Sequence, residues 1–424
     1  MAHITVRPSR PLHGPVELQG AKNSALKLMA AALLAEGTTR LHNVPEITDV
    51  ETMGEVLSAI GATVERDESG TISITTPNRC TPVAPYELVE KMRASIVVLG
   101  PLLARHHLAR ISLPGGDDFG SRPIDMHLRA LEELGAEFST EHGYVEGHCE
   151  RLVGTRIVLE YPSHTTTDNV LSAAVLAKGT TVIENAAREP EVQDLAALLT
   201  EMGARIDGAG TSRIEVEGVD ELRPAAHTVI NDRVEAATFL CAAAIAGGDV
   251  HVQGARSDHM DMYLAKLDQM GVDLEATTSG ITARSEGRPR SVDVVTLPYP
   301  GVATDYKPLL VTALSIGTGV AIVSENIYAG RFRYVDELRR MGANITTEGH
   351  HAVVRGVERL SSAPVRATDI RAGAALVLAG LAADGETTVM GVEHIDRGYE
   401  RFVEKLSSLG ADIERSDGDV KSLS

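Results

Sequence analysis

Hydrophobic and polar positions along this chain alternate between two kinds of predicted helix, each occurring six times. The first kind is amphipathic and ends in Gly-Ala or Gly-Val. Its copies end Leu57-Ser-Ala-Ile-Gly61, Leu131-Glu-Glu-Leu-Gly135, Leu199-Thr-Glu-Met-Gly203, Leu267-Asp-Gln-Met-Gly271, Leu338-Arg-Arg-Met-Gly342 and Leu406-Ser-Ser-Leu-Gly410, at intervals of 68 to 74 residues. Glycine just past a helix supplies the left-handed residue that stops it. An alternating stretch follows each glycine, such as Arg213-Ile-Glu-Val-Glu217, and predicts a strand. The second kind is rich in Ala and Leu and nearly uncharged in its body, at 25–34, 94–103, 170–177, 236–245, 309–316 and 373–381. A helix that is apolar all round must be buried. Each is followed by a glycine turn and a β-branched strand, as in Gly179-Thr-Thr-Val-Ile-Glu184.

The repeating unit is thus strand-helix-strand-helix-strand in character, with the sheets outside the buried helices. Six units exceed one core, so three plus three is the expected division. The predicted fold class is α/β: two inside-out α/β barrel domains, each of three βαβαββ-like repeats. Pro224-Ala-Ala-His-Thr228 is the expected crossover. The first unit lacks leading strands, so residues 1–20 are expected to join the last trio, giving domains 1–20 plus 230–424 and 21–229. The tail after Glu414 is expected to fray.

Composition narrows the function. A charge of −19 across 424 residues argues against a nucleic-acid or anionic-membrane surface. Cys80, Cys149 and Cys241 are widely spaced and in no CxxC pattern, which suits a reducing cytoplasm without disulfides or structural zinc. No signal pattern or long apolar run is present, so a cytoplasmic protein is expected.

Charge placement adds the candidate chemistry. The buried helices begin with ionisable residues: Lys22-Asn23, Arg93, Asp168, Asp232-Arg233, Asp305, and Asp369 with Arg371. An acid there is the ordinary cap and dipole partner. Lys22 and Arg93 oppose the dipole, and make sense if an anion binds. Arg122, Arg188, Arg331 and Arg397 lie near the starts of amphipathic helices. An isolated surface Arg is usually just solvated, but a recurring set in an acidic protein points to a phosphate or carboxylate site. The stretch Pro114-Gly-Gly-Asp-Asp-Phe-Gly-Ser-Arg-Pro123 carries three glycines, the acids Asp117 and Asp118, and Arg122. By itself it reads as an acidic, mobile surface turn. P-loop, HExxH, dinucleotide and nucleophile-elbow motifs are missing. His350-His351 in an alternating strand would point to opposite faces, against a metal site.

Taken together, these residues resemble a known family. Gly20-Ala-Lys22-Asn23, Arg93-Ala-Ser-Ile-Val-Val-Leu-Gly-Pro-Leu-Leu103, the Pro-Gly-Gly loop with Arg122-Pro123, Glu184-Asn-Ala-Ala-Arg-Glu-Pro190, Thr304-Asp305, Arg331-Phe332, Asp369-Ile-Arg371 and His394-Ile-Asp-Arg-Gly-Tyr399 are similar to the UDP-N-acetylglucosamine 1-carboxyvinyltransferases, which are enolpyruvyl transferases. The likeness spans essentially the whole chain. It implies transfer of the enolpyruvyl group of phosphoenolpyruvate to the 3′-hydroxyl of UDP-N-acetylglucosamine with release of phosphate, the first committed step of peptidoglycan synthesis. It implies no cofactor and no metal, and an active site in an interdomain cleft closed by the 114–123 loop. By the same resemblance Lys22, Arg122 and Arg397, with Arg93, Arg331 and Arg371, neutralise the donor. Asp117, Asp305, Lys22 and Arg397 are the catalytic positions. Asn23 and Asp305 contact the sugar, Asp125 the uridine, and Asp369 the reacting centre; Pro123, Ile124, Ser163 and Ile327 are further substrate-binding positions. Oligomeric state stays open.

Three positions depart from that pattern. Asp117 stands where many members carry Cys. A carboxyl can donate a proton if closure raises its pKa, but it is a far poorer nucleophile toward an epoxide than a thiolate, so fosfomycin resistance is expected. Ser163-His-Thr-Thr-Thr-Asp168 replaces a usual Ser-Val-Gly-Ala-Thr-Glu near the nucleotide, leaving a mononucleotide acceptor such as UMP as an alternative. A separate alternative is an inert UDP-sugar-binding paralogue, against which the retained Lys22, Asp305 and Arg397 argue. Tyr306-Lys307 replaces a commoner Leu-Gln or Met-Gln. Asp118 has no role assigned.

Overall fold

The computed structural model describes residues 2–9, 11–113, 115, 124–328 and 330–418. The loop positions Asp117, Asp118, Arg122 and Pro123 lie outside the described residues. The chain forms two compact units: one holds the N-terminal segment to Gln19 and everything from Asn231 on, the other the described residues between Gly20 and Ile230.

Each unit is α/β, with buried helices wrapped by four-stranded sheets. In the first unit the buried helices are Arg233–Ala246, Lys307–Ser315 and Ile370–Leu381. In the second they are Lys22–Ala31, Leu99–His106 (entered through a 3₁₀ turn, Arg93–Val98) and His164–Ala174. Phe239, Leu310 and Leu376 in one unit, and Leu28, Leu102 and Leu171 in the other, are fully buried. Their small neighbours let the helices pack closely; Gly100, for example, lies where a Cβ would strike the Asn169 carbonyl. The amphipathic helices include Thr48–Ile60, Pro190–Glu201 and Tyr334–Arg340. All six glycines that follow them hold φ between 84° and 111°, the left-handed stop.

Strand order is the same in every sheet. An edge strand runs parallel to its neighbour, which pairs antiparallel with an inner strand whose antiparallel partner forms the far edge. Arg156–Val158, Thr180–Glu184, Arg213–Glu217 and Arg205–Asp207 make one such sheet. Three sheets are completed by strands distant in sequence. His3–Val6 inserts between Thr387–Met390 and Ile413–Ser416. Leu12–Glu17 lies parallel to Gly248–Gln253. Ala226–Thr228 lies parallel to Arg40–His42.

That last pairing corrects the expected crossover. Residues 226–228 are the leading strand of the first sheet, recruited because Arg40–His42 offers an unpaired parallel edge, and the chain leaves the unit after Ile230. At the exits, Ala21 N–H donates to Ile230 O (2.6 Å) and Asp232 N–H to Gln19 O (3.0 Å). His350 also differs from expectation. It sits in the turn before the strand His351–Arg355, so its ring lies against that of His351, centroids 3.9 Å apart, instead of on the opposite face. Among the described residues no group of three or more His, Cys, Asp or Glu is placed to hold a metal. No helix among them is long and apolar enough to cross a membrane.

Candidate active site

In the first unit the starts of two buried helices and the loop before Tyr334–Arg340 bring four ionisable groups together. Asp305 precedes the Lys307–Ser315 helix, and its carboxylate accepts from Arg331 Nη1 (2.7 Å) and Arg371 Nε (3.1 Å). Its side chain keeps 26% exposure, whereas both arginines are buried. Burial pushes the Asp305 carboxyl up, but the two guanidiniums overcome this and hold it well below the usual carboxylate range. Asp369 caps the Ile370–Leu381 helix, accepting from the N–H groups of Arg371 (2.9 Å) and Ala372 (3.0 Å), and lies 3.9 Å from Arg331. The Arg371 guanidinium also sits 5.3 Å from the centre of the Tyr399 ring. Arg397 is half-buried just after the short Glu393–Asp396 helix.

Two residues on from Asp305, Lys307 belongs to a second charged group. Lys307 has no exposed surface; its Nζ is 2.8 Å from Glu325 Oε2, donates to Arg331 O (2.5 Å), and stands 3.8 Å over the Phe332 ring. Glu325 accepts from Thr296 Oγ1 (2.7 Å), Thr304 Oγ1 (2.7 Å), Ile327 N–H (2.8 Å) and Tyr328 N–H (3.1 Å). The turn that carries Ile327 is therefore wrapped around one buried carboxylate. Tyr306 OH accepts from Arg233 Nη1 (2.8 Å), and its ring packs against Tyr263.

In the second unit the corresponding helix starts are more polar. Lys22 opens the Lys22–Ala31 helix and pairs with buried Asp49 (2.8 Å), so a carboxylate of the protein already answers its charge. Asn23 beside it is half-buried. Ser24 donates to Asp194, whose other oxygen meets His227 Nε2 at 2.8 Å; Glu201 flanks His227 Nδ1 at 2.9 Å. Arg93 is half-buried at the start of its 3₁₀ turn. Asp168 is not a cap. Ser163 caps that helix, accepting from Thr166 N–H and Oγ1, while Asp168 lies a turn in and pairs with Lys27 at 2.8 Å. His127 is buried beside Asn169 (2.9 Å) and Thr165 (3.4 Å). Burial, then the Arg93 charge, push its pKa down to about 3, so it is neutral. Ile124 precedes the Asp125–Glu133 helix, and Asp125 is exposed and paired with Arg129.

The structure thus groups Asp305, Arg331, Asp369 and Arg371 tightly, with Ile327 on the adjoining turn. It places Lys22, Asn23, Arg93 and Ser163 at helix starts of the other unit. Sequence reasoning missed Glu325. A signal was present: Ala321 and Val323 are the inward positions of Val320–Ser324, and Glu325 falls on the same parity. Asp49 and Asp194 carried no such signal, being acids on amphipathic helices.

Comparison with known proteins agrees with this architecture. The family model described as EPSP synthase (3-phosphoshikimate 1-carboxyvinyltransferase) matches residues 6–406. A Corynebacterium jeikeium protein named UDP-N-acetylglucosamine 1-carboxyvinyltransferase is 52% identical across 95% of this chain and 96% of its own. Proteins of the same name from Mycobacterium tuberculosis (51%; 95% and 96%) and Myxococcus xanthus (49%; 98% and 99%) are similar. The crystal structure of the enolpyruvyl transferase NikO from Streptomyces tendae superposes with a TM-score of 0.89 at 26% identity, covering 98% of this chain and 99% of that one. An EPSP synthase from Acinetobacter baumannii shares the fold at TM-score 0.77 and 20% identity, covering 98% of this chain and 100% of that one.

Proposed function

The chain belongs to the EPSP synthase family, among its UDP-N-acetylglucosamine 1-carboxyvinyltransferases, and from that premise we propose which of its residues carry the transfer. The enzyme moves the enolpyruvyl group of phosphoenolpyruvate to UDP-N-acetylglucosamine and releases phosphate, a step of peptidoglycan synthesis that we place in the cytoplasm. The sugar 3′-hydroxyl adds to the donor's central carbon as a proton reaches the methylene carbon, giving a tetrahedral adduct. Asp305 then takes a proton from the new methyl group as the bond from the central carbon to the phosphate oxygen breaks and phosphate leaves.

Asp305 is the base in this scheme, and the observation that carries the reading is its grip by Arg331 and Arg371. In the free protein those guanidiniums keep the carboxylate ionised and a weak base. A donor carboxylate and phosphate compete for the same N–H groups, so binding weakens the grip and raises the proton affinity of Asp305 when the acceptor hydroxyl arrives. Arg397 and Lys22 neutralise the donor, with Arg93 and Arg122; Asp369 fixes Arg371 through its helix cap. Asn23, Ile124, Asp125, Ser163 and Ile327 contact the nucleotide sugar. Asp117 delivers the proton to the methylene carbon.

Phosphate release with phosphoenolpyruvate and UDP-N-acetylglucosamine tests the reading, with UMP as competitor acceptor; strong preference for UMP sinks it. A second expected result concerns Asp117. Incubation with fosfomycin leaves activity and intact mass unchanged at concentrations that label a cysteine-bearing relative, because a carboxylate opens the epoxide poorly. A stoichiometric adduct on residues 114–123 would contradict this.

A further inference from the structure

Lys307 and Glu325 form a charge pair with no exposed side-chain surface, joined to Asp305 through Arg331. Burying two charges is costly, and removing one partner leaves the other stranded. Here Glu325 gathers donors from three segments: Thr304 and Lys307 at a helix start, Thr296 on a neighbouring segment, and the N–H groups of Ile327 and Tyr328. Lys307 adds a fourth tie, to the carbonyl of Arg331, and Arg331 is the residue that grips Asp305 and also donates to Thr304 Oγ1 at 3.2 Å. The pair therefore links the backbone on which Asp305 rides to the backbone of the residue that restrains it.

We infer that Lys307, through its ammonium ties to Glu325 and to the Arg331 carbonyl, is a positioning residue for the enolpyruvyl transfer, setting Arg331 against Asp305 without touching substrate. This rests on the transfer reading above. The length of a neutral side chain at 307 could span the same gap, but it could not neutralise Glu325. With the ammonium gone, the carboxylate must find its proton or water elsewhere, and the 325–331 segment shifts. A displacement of about 1 Å at a reacting group costs on the order of 10²-fold in rate.

The ammonium state is what makes the role testable. Burial lowers the Lys307 pKa, against the opposing pull of Glu325, to about 8. Charged groups facing it are Glu325, Arg331 and Asp369, with the Tyr334 hydroxyl nearby. Burial pushes Glu325 up but Lys307 and the two threonines more than offset this, so Glu325 stays below the ordinary range. Arg331 lies above its ordinary value, Asp305 and Asp369 outweighing burial, and burial drives Tyr334 well above 10. Lys307 is accordingly the group of this cluster whose charge changes near pH 8, and the tie is intact below that pH and lost above it.

The experiment is kcat for phosphate release at saturating phosphoenolpyruvate and UDP-N-acetylglucosamine, from pH 6.5 to 9.5, for wild type, Lys307→Met and Lys307→Met/Glu325→Gln; methionine is chosen because glutamine, the commoner residue of the family at this place, could still donate to Glu325 and to the Arg331 carbonyl. Wild-type kcat is expected to fall through an alkaline limb near pH 8. Lys307→Met is expected to lose about 10²-fold in kcat at pH 7 and to lack that limb. The double variant, with no stranded carboxylate, is expected to recover at least about tenfold of the loss and again to lack the limb. A Lys307→Met enzyme with wild-type kcat and the same limb overturns the inference. If that single variant does not fold, a double variant that retains the limb overturns it equally. Wild type that releases no phosphate overturns the transfer reading itself, and this inference with it.

Discussion

Asp305→Asn is expected to lower kcat for phosphate release about 10³-fold, within the range by which a positioned proton-transfer group accelerates a reaction. The amide is nearly isosteric and can still accept from one of Arg331 and Arg371, so the fold is expected to survive. What disappears is the negative charge that makes the group basic enough to take a proton. The donor should still bind, because the guanidiniums, freed from a carboxylate, remain available to an anion. The expected signature is thus a collapse of kcat with donor affinity unchanged or tighter. A kcat within tenfold of wild type would remove Asp305 from the proton-transfer role. There is also a stability consequence with a definite sign. The Asp305 pKa is depressed in the folded protein, so its contribution is present above the unfolded carboxylate value and lost as pH falls below about 4. Acid unfolding of the Asn variant should lack that component.

Lys27→Met is expected to give the largest loss of stability. Lys27 and Asp168 lie on two buried helices, with side chains 4% and 1% exposed and 2.8 Å apart. Methionine fits the space but strands the Asp168 carboxylate, with only the half-exposed His164 imidazole, 3.8 Å away, as a substitute partner. Breaking such a pair costs about 3–5 kcal/mol. For a unit of roughly 200 residues that amounts to a fall of about 10 °C in its melting temperature. Replacing both partners, Lys27→Met with Asp168→Leu, should restore most of the loss, since apolar packing can equal a buried pair. If the double variant melts as low as the single one, packing around Lys27, and not the stranded charge, accounts for the effect.

How far the sequence revealed this molecule depends on whether a feature is periodic or paired. The helix stops were legible because each glycine repeats at a fixed place after an amphipathic run. The buried helices were legible because their bodies are rich in Ala and Leu and carry almost no charge. Arg331 and Arg371 were legible as candidates because each stands near a helix start, and the structure brings both onto Asp305. Partner choice was not legible. Nothing local in Lys22 names Asp49, and nothing in Asp168 names Lys27; each pairing is decided by how two helices dock. The recruitment of Ala226–Thr228 to the first sheet was hidden for the same reason, since a three-residue strand is defined by its neighbour's open edge. His350 misled because alternation was extended one residue into a turn. Glu325 was overlooked although its parity pointed inward, since an acid at a strand end reads first as solvated.

The placement of His3–Val6 has a consequence for how the protein is made. Of the described strands it is made first, yet both its neighbours, Thr387–Met390 and Ile413–Ser416, come roughly 400 residues later. At about 5–20 residues per second the wait is on the order of 20–80 s. The Gly20–Ile230 unit can complete itself meanwhile, from contiguous chain. During that interval Ile4 and Val6, fully buried at the end, have no sheet to enter and offer an unpaired edge to other nascent chains. Any fusion attached ahead of Ala2 is carried on a strand whose sheet is completed only once Ser416 has been made.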